Sequence, residues 1–249
     1  MFTRQGGAGY QHGSFFNDVW CSVILNGETP VTAMDWQRKG PKEGLADSIP
    51  QITSHHSAVE YNGGMYVYGG ITVNADLPTG GERVDTSSLW RFDLANDTWS
   101  KFPSVTSASP PPRHSHTAVV HEDRMYVYGG SDLKKVHFND MWTFDFNTQV
   151  WENITTDAFP SARSWHGAGV AEGDMYVFGG GQCEKSCKLH NELWKYTFSS
   201  QTWTQLDVGS APLGRYKHTF TVMEQRGGEG GVNIILTGGE SYRCGDVQM

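Results

Sequence analysis

Four segments of this chain end in a glycine pair directly after a short apolar run, and this recurrence restricts the possible folds more than any other feature. They are Met65-Tyr66-Val67-Tyr68-Gly69-Gly70, Met125-Tyr126-Val127-Tyr128-Gly129-Gly130, Met175-Tyr176-Val177-Phe178-Gly179-Gly180 and Ile234-Ile235-Leu236-Thr237-Gly238-Gly239. A histidine precedes each: His56, His116, His166 and His218, at steps of 60, 50 and 52 residues. A tryptophan follows each of the first three pairs (Trp90, Trp142, Trp194), and a second comes nine residues later (Trp99, Trp151, Trp203). A period near 50 residues marks a repeat architecture, in which one supersecondary unit buries its faces only against its neighbours.

The local pattern is that of strands. Runs of Val, Tyr, Phe, Trp and Ile four to six residues long are bounded by Gly, Asn, Asp and Pro. No stretch keeps a helical apolar period. Each repeat therefore predicts four short antiparallel strands, a to d. Strand a begins near the histidine, b ends in Gly-Gly, c carries the first Trp and d the second. Both faces of Met-Tyr-Val-Tyr are apolar, so each sheet needs cover on both sides. Radial stacking supplies that cover and leaves only short edges. The glycines fit positions of positive φ or close approach, and the tryptophans supply large buried area.

These marks, together with Arg-x-x-His at the start of strand a, resemble the kelch repeat family of β-propellers over nearly the whole chain. The expected fold is all-β: one propeller of about five four-stranded blades, with the first and last incomplete. The expected bounds are a partial blade at 1–50, blades at 51–103, 104–155 and 156–207, and a partial blade at 208–249. In the first, Asn17-Asp18-Val19-Trp20 opens strand c, and Trp36 stands where strand d is due. In the last, Gly245-Asp246-Val247 aligns with Asn17-Asp18-Val19. Incomplete terminal blades would favour self-association. The expected structural set is Gly69, Gly70, Trp90, Trp99, Gly129, Gly130, Trp142, Trp151, Gly179, Gly180, Trp194, Trp203, Gly238 and Gly239.

Charge narrows the function. A net charge of −8 and a pI near 5.6 argue against nucleic acid, which needs a basic face, and against an anionic membrane surface. No run of 18 apolar residues suggests a membrane span. Four cysteines in 249 residues do not make a disulfide scaffold, and the balance leans toward a cytoplasmic protein. Cys183-x-x-x-Cys187-x-x-His190 leaves three readings open: a zinc site with no evident fourth ligand, a loop disulfide, or free thiols.

The a–b and c–d turns are tight, whereas the b–c and d–a links are long and variable. Antiparallel topology puts these long links at one end, where loops on a rigid scaffold carry binding. They are 71–87, 103–112, 131–138, 155–162, 181–190 and 207–214. Arg113, Arg163 and Arg215 open strand a at this end, and in kelch propellers strand a lines the central channel. The resemblance thus implies an arginine-lined channel mouth, with His114, Trp165, Tyr216 and Lys217 beside it. Guanidinium forks suit carboxylates and phosphates. The expected function is a protein-interaction module whose partner offers an acidic or phosphorylated segment. The competing reading makes each arginine a structural ion pair. Thr53 leaves a gap in the series. The alternative function is binding of a small molecule or acidic sugar, with isomerase or oxidase chemistry. No Gly-x-Ser-x-Gly, phosphate loop or paired catalytic carboxylates support an enzyme. No cofactor or metal is expected.

Overall fold

The computed structural model describes residues 2–5, 18–22, 36–39, 50–51, 53–74, 82–103, 108–183, 187–225 and 231–241. All regular structure among them is strand, so no helix is long and apolar enough to cross a membrane. The chain divides into two compact bodies, Met1–Pro103 and Ser104–Met249.

The first body opens with β1 (Phe2–Gln5), β2 (Val19–Ser22) and β3 (Gln37–Lys39), an antiparallel sheet in that order. Then come β4 (Thr53–Ser54), β5 (Ser57–Tyr61), β6 (Gly64–Tyr68), β7 (Ile71–Asn74), β8 (Glu82–Asp85), β9 (Leu89–Asp93) and β10 (Thr98–Lys101). Strands β5-β6-β9-β10 form one sheet and β4-β7-β8 a smaller one. The second body holds β11 (Thr117–His121), β12 (Arg124–Tyr128), β13 (Met141–Asp145) and β14 (Val150–Ile154) in one sheet. It continues with β15 (Gly167–Ala171), β16 (Asp174–Phe178), β17 (Gly181–Cys183), β18 (Cys187–Leu189), β19 (Leu193–Thr197) and β20 (Thr202–Leu206). There β15-β16-β19-β20 form a sheet and β17-β18 a separate hairpin. The hairpin β21 (Thr219–Glu224) and β22 (Val232–Thr237) follows.

The three four-stranded sheets share one register. Trp90, Trp142 and Trp194 lie opposite Val67, Val127 and Val177. Trp99, Trp151 and Trp203 lie opposite Phe92, Phe144 and Tyr196, and all three tryptophans are buried. Local chemistry sets this register. Asn62-Gly63 and Glu172-Gly173 are two-residue hairpin loops with positive φ at both positions, the conformation that matches strand twist. In the c–d turns Asp93 Oδ1 accepts the N–H groups of Ala95 and Asn96, and Asp145 Oδ1 those of Asn147 and Thr148. A short side chain that mimics a backbone turn explains Asp at this position.

All eight glycines of the four pairs have positive φ. The second of each pair faces its own histidine segment: a Cβ on Gly130 would lie 2.8 Å from both His114 O and His116 Cβ, and one on Gly180 2.7 Å from Ser164 O. In the third and fourth repeats the first faces the following blade: a Cβ on Gly129 would meet Arg163 O at 2.8 Å, and one on Gly179 Arg215 O at 2.8 Å. The histidine is the other half of this joint. His166 stands edge-on to Tyr128 and bonds Thr117 Oγ1 at 2.7 Å, and His218 stands edge-on to Phe178. One histidine per blade is thus a packing position.

The core lies between sheets. Val119, Tyr128 and Met141 pack against Met175, Val177, Tyr196 and Trp203. Ala171, Tyr176, Phe178 and Leu193 pack against Phe220, Val222, Ile234 and Leu236. Gly167 and Gly169 let β21 lie close on β15, since a Cβ on Gly167 would fall 2.2 Å from Phe220 Cβ. In the first body Val19 joins Met65, Val67, Phe92 and Trp99.

Two features depart from a plain four-stranded reading. The b–c links of the second and fourth repeats form hairpins of their own, β7-β8 and β17-β18; in the first, β-branched Ile71, Thr72, Val73 and Val84 favour strand. Trp36 directly precedes β3 and is 47% exposed, unlike its buried counterparts. The Gly245-Asp246-Val247 segment lies outside the described residues.

Candidate partner-binding site

Strand a does not run straight into its sheet. Its first residue makes an isolated bridge to the base of the b–c link: His114 with Ser131, Ser164 with Gly181, Tyr216 with Glu240. The next residue, Ser115, Trp165 or Lys217, takes φ of 55°, 60° or 57°. A left-handed turn costs a non-glycine residue about 1–2 kcal/mol, and it recurs here in consecutive repeats. Backbone bonds offset it: Trp165 N–H donates to Ser115 O at 2.9 Å, and Lys217 N–H to Trp165 O at 3.0 Å. These bonds string the three residues in a row. Because the backbone makes them, the side chain at each position is free to vary.

The arginines lie beneath this row. Arg113 has no exposed side-chain surface; it grips Asp140 with two bonds, 2.7 and 2.8 Å, and donates to Gly129 O and Pro111 O. Phe138 stacks on its guanidinium at 4.5 Å. Trp142 Nε1 donates to the same carboxylate at 2.7 Å. Arg163 repeats the scheme with no exposed side-chain surface: Nε to Ser161 O, Nη1 to Gly179 O, and Nη2 3.5 Å from Glu192. Each arginine therefore clips the ends of strands a, b and c of its own blade together. Arg215, half-buried, donates to Leu213 O and Gly238 O. Of the residues singled out in the sequence, Arg113 and Arg163 thus hold the scaffold in place; of their neighbours, Tyr216 is buried as well, His114 and Trp165 are partly exposed, and Lys217 is exposed.

Those neighbours form a small polar cluster. Lys217 is exposed, with Nζ 5.3 Å from the Trp165 ring, 5.1 Å from the Tyr216 ring and 3.1 Å from Glu240 Oε1. The Tyr216 hydroxyl also meets the Glu240 carboxylate, and this bond, followed by Lys217, pulls the Glu240 acid below the usual range. His114 Nε2 lies 3.2 Å from Ser131 Oγ.

Sequence reasoning passed over two kinds of residue here. Asp140 and Glu192 complete the clips; the signal was the acid two residues before Trp142 and Trp194. The other kind is apolar. Leu133 and Val136 on link 131–138, and Val208 and Leu213 on link 207–214, are 40–62% exposed. They account for most of the large exposed apolar side chains among the described residues. The cysteine loop singled out in the sequence places Cys183 and Cys187 directly opposite each other on β17 and β18. His190 is buried, with Nδ1 3.3 Å from Glu192. No metal-binding group of His, Cys, Asp and Glu occurs among the described residues.

Burial also sets the protonation of the histidines. It lowers His166 well below the ordinary value, with the Arg163 charge adding to it, and it lowers His190 and His218 as well. The unfolded chain binds protons at these groups below about pH 6.5, while the folded chain refuses them. Stability present at pH 7 is therefore lost as pH falls from about 6.5 toward the lowered values. The expected result is a urea midpoint that drops between pH 7 and pH 5, with a shallower drop in His166→Gln. An unchanged slope in that variant would remove His166 from this account.

Repeated four-stranded antiparallel sheets, a left-handed glycine pair closing each b strand and an arginine clip across the third and fourth repeats define a β-propeller of the kelch type. The family models agree. The KLHDC2/KLHL20/DRC7 Kelch-repeats domain matches residues 5–180, and the Attractin/LZTR1 beta-propeller matches 126–245. The chain belongs to the kelch-repeat family.

Among curated relatives, the leucine-zipper-like transcriptional regulator 1 homolog of Drosophila melanogaster is 28% identical over 180 residues, 69% of this chain and 18% of that protein. The host cell factor homolog hcf-1 of Caenorhabditis elegans is 28% identical over 59% of this chain and 19% of that protein. Human host cell factor 1 is 27% identical over 57% and 7%. The chain thus spans under a fifth of the length of these relatives. The solved structure of YjhT aligns with a TM-score of 0.61 at 14% identity, covering 82% of this chain and 63% of that one, a likeness of fold.

Proposed function

We propose that this chain is a protein-interaction module that takes its partner on the end carrying the b–c and d–a links. Four exposed apolar side chains carry the reading: Leu133, Val136, Val208 and Leu213 stand on links of that end. Clustered exposed apolar groups mark protein contacts, and Leu133 and Val136 share one link, as do Val208 and Leu213. Membership of the kelch family, and relatives named as a transcriptional regulator and host cell factors, support a protein-binding role.

The partner's chemistry follows from charge. The b–c links carry exposed Lys134, Lys135 and Lys188, and Lys217 stands at the start of strand a. The exposed acids Asp157 and Asp207 lie on the d–a links, while on the b–c side Glu82 and Glu240 are exposed and Glu240 pairs with Lys217. An acidic or phosphorylated segment fits the b–c side, anchored by apolar contacts. Trp165, Tyr216, Lys217 and His114 form the inner rim, Arg215 lends a partly exposed cation, and Arg113 and Arg163 hold the rim in position.

A peptide array scored by fluorescence anisotropy tests this. Acidic and phosphoserine peptides with a flanking Leu or Phe are expected to bind, and basic peptides are not. Lys134→Glu/Lys135→Glu and Leu133→Ser/Val136→Ser should each weaken binding at least tenfold, an interface hot spot being worth more than about 1 kcal/mol. Equal binding of acidic and basic peptides would sink the reading.

A further inference from the structure

The second repeat lacks the clip that the third and fourth carry. Thr53 stands where Arg113 and Arg163 stand, and Ser88 where Asp140 and Glu192 stand. Register fixes the equivalence: Ser54 pairs with Ile71 as His114 does with Ser131, and Ser88 precedes Trp90 as Asp140 precedes Trp142. Losing both charges together avoids stranding a buried ion. Two hydroxyls do not fill the volume of a guanidinium and a carboxylate, however. A cavity of about 340 Å³ lies at this place, lined in part by Thr53, Thr72, Thr86, Ser88, Trp90 and Lys101.

Its lining has a definite chemistry. In the third repeat the Trp142 indole N–H donates to Asp140, and in the first the Trp20 indole N–H donates to Asp18. Trp90 has Ser88 in that place, so its indole N–H lacks the carboxylate that Trp20 and Trp142 meet; in the fourth repeat Trp194 Nε1 does not reach one either. Across from Trp90 stands Lys101, exposed, with Nζ 5.7 Å from the indole ring. The residues across from Trp142 and Trp194 are the amides Asn153 and Gln205. Thr53 Oγ1 donates to Gln51 O, which leaves its lone pairs; Thr86 Oγ1 accepts from Ser88 N–H, which leaves its proton. No Asp or Glu lines the cavity among the described residues. The site thus offers one cation, one indole donor and a set of hydroxyls, at the small end of ligand-pocket sizes, about 300–1,000 Å³.

We propose that this cavity binds a small hydroxylated carboxylate, whose carboxylate takes the place that Asp140 holds in the third repeat. It accepts the Trp90 N–H and pairs with Lys101, and its hydroxyls meet the Thr and Ser groups. The site lies wholly within the first body, whereas the residues named for the partner stand on the second.

Calorimetric titration of the full chain with D-gluconate, sorbitol and methylguanidinium tests it. Gluconate is expected to bind saturably, sorbitol at least tenfold more weakly, and methylguanidinium not at all. Lys101→Asn, the amide type of the regular blades at an exposed position, should lower gluconate affinity at least tenfold with an unchanged melting curve. Thr53→Arg/Ser88→Asp, which rebuilds the clip inside the cavity, should abolish binding. The proposal is overturned by no saturation with gluconate, by equal affinity for sorbitol, by preference for methylguanidinium, or by gluconate binding that survives Lys101→Asn.

Discussion

Arg113→Ala lowers the stability of the second body by about 3–5 kcal/mol, the expected cost of removing one partner from a buried ion pair. The side chain has no exposed surface and four acceptor oxygens around it: both of Asp140, Gly129 O and Pro111 O. Alanine leaves the carboxylate without its cation and the two carbonyls without donors. Removing both charges is milder, because no ion is stranded. Arg113→Thr/Asp140→Ser copies the pair that the second repeat already has in Thr53 and Ser88, and it should recover a large part of the loss. Urea denaturation followed by tryptophan fluorescence reads both variants. A single-variant loss under about 1 kcal/mol would mean the clip does not tie strand a to strand c.

Gly130→Ala should cost about 3–5 kcal/mol, and Gly238→Ala only about 1–2 kcal/mol. The two share a left-handed backbone, with φ of 96° and 70°. They differ in space: a Cβ on Gly130 runs into His114 O and His116 Cβ at 2.8 Å, whereas one on Gly238 meets nothing within 4 Å. Part of the backbone strain is common to both; the larger φ of Gly130 and its collisions make up the difference. Equal losses in the two variants would show that the His116 segment yields, and that φ alone demands glycine there.

The strands and their order were legible because each signal is local. Gly-Gly after Met-Tyr-Val-Tyr ends strand b, and Trp142 and Trp151 lie nine residues apart because a four-residue turn capped by Asp145 joins their strands. The burial of Arg113 was not legible from Arg-x-x-His alone, since an arginine's exposure depends on whether a carboxylate meets it, and Asp140 is 27 residues away. The pattern was nonetheless present, because the second repeat loses the arginine and the acid together. The left-handed turn at Ser115, Trp165 and Lys217 had no signal at all. None is Gly or Asn, and the bonds that hold the turn come from the neighbouring repeat's backbone. Leu133, Val136, Val208 and Leu213 were hidden because an apolar residue in a loop reads the same whether it tucks in or faces water.

The row at Ser115, Trp165 and Lys217 separates skeleton from message. Main-chain atoms hold each turn, and the three side chains are as unlike as a hydroxyl, an indole and an amine. A gene that duplicates such repeats inherits the spine unchanged and can rewrite one letter per copy. New specificity then needs no new architecture, which makes this row the natural place to re-address the molecule by design.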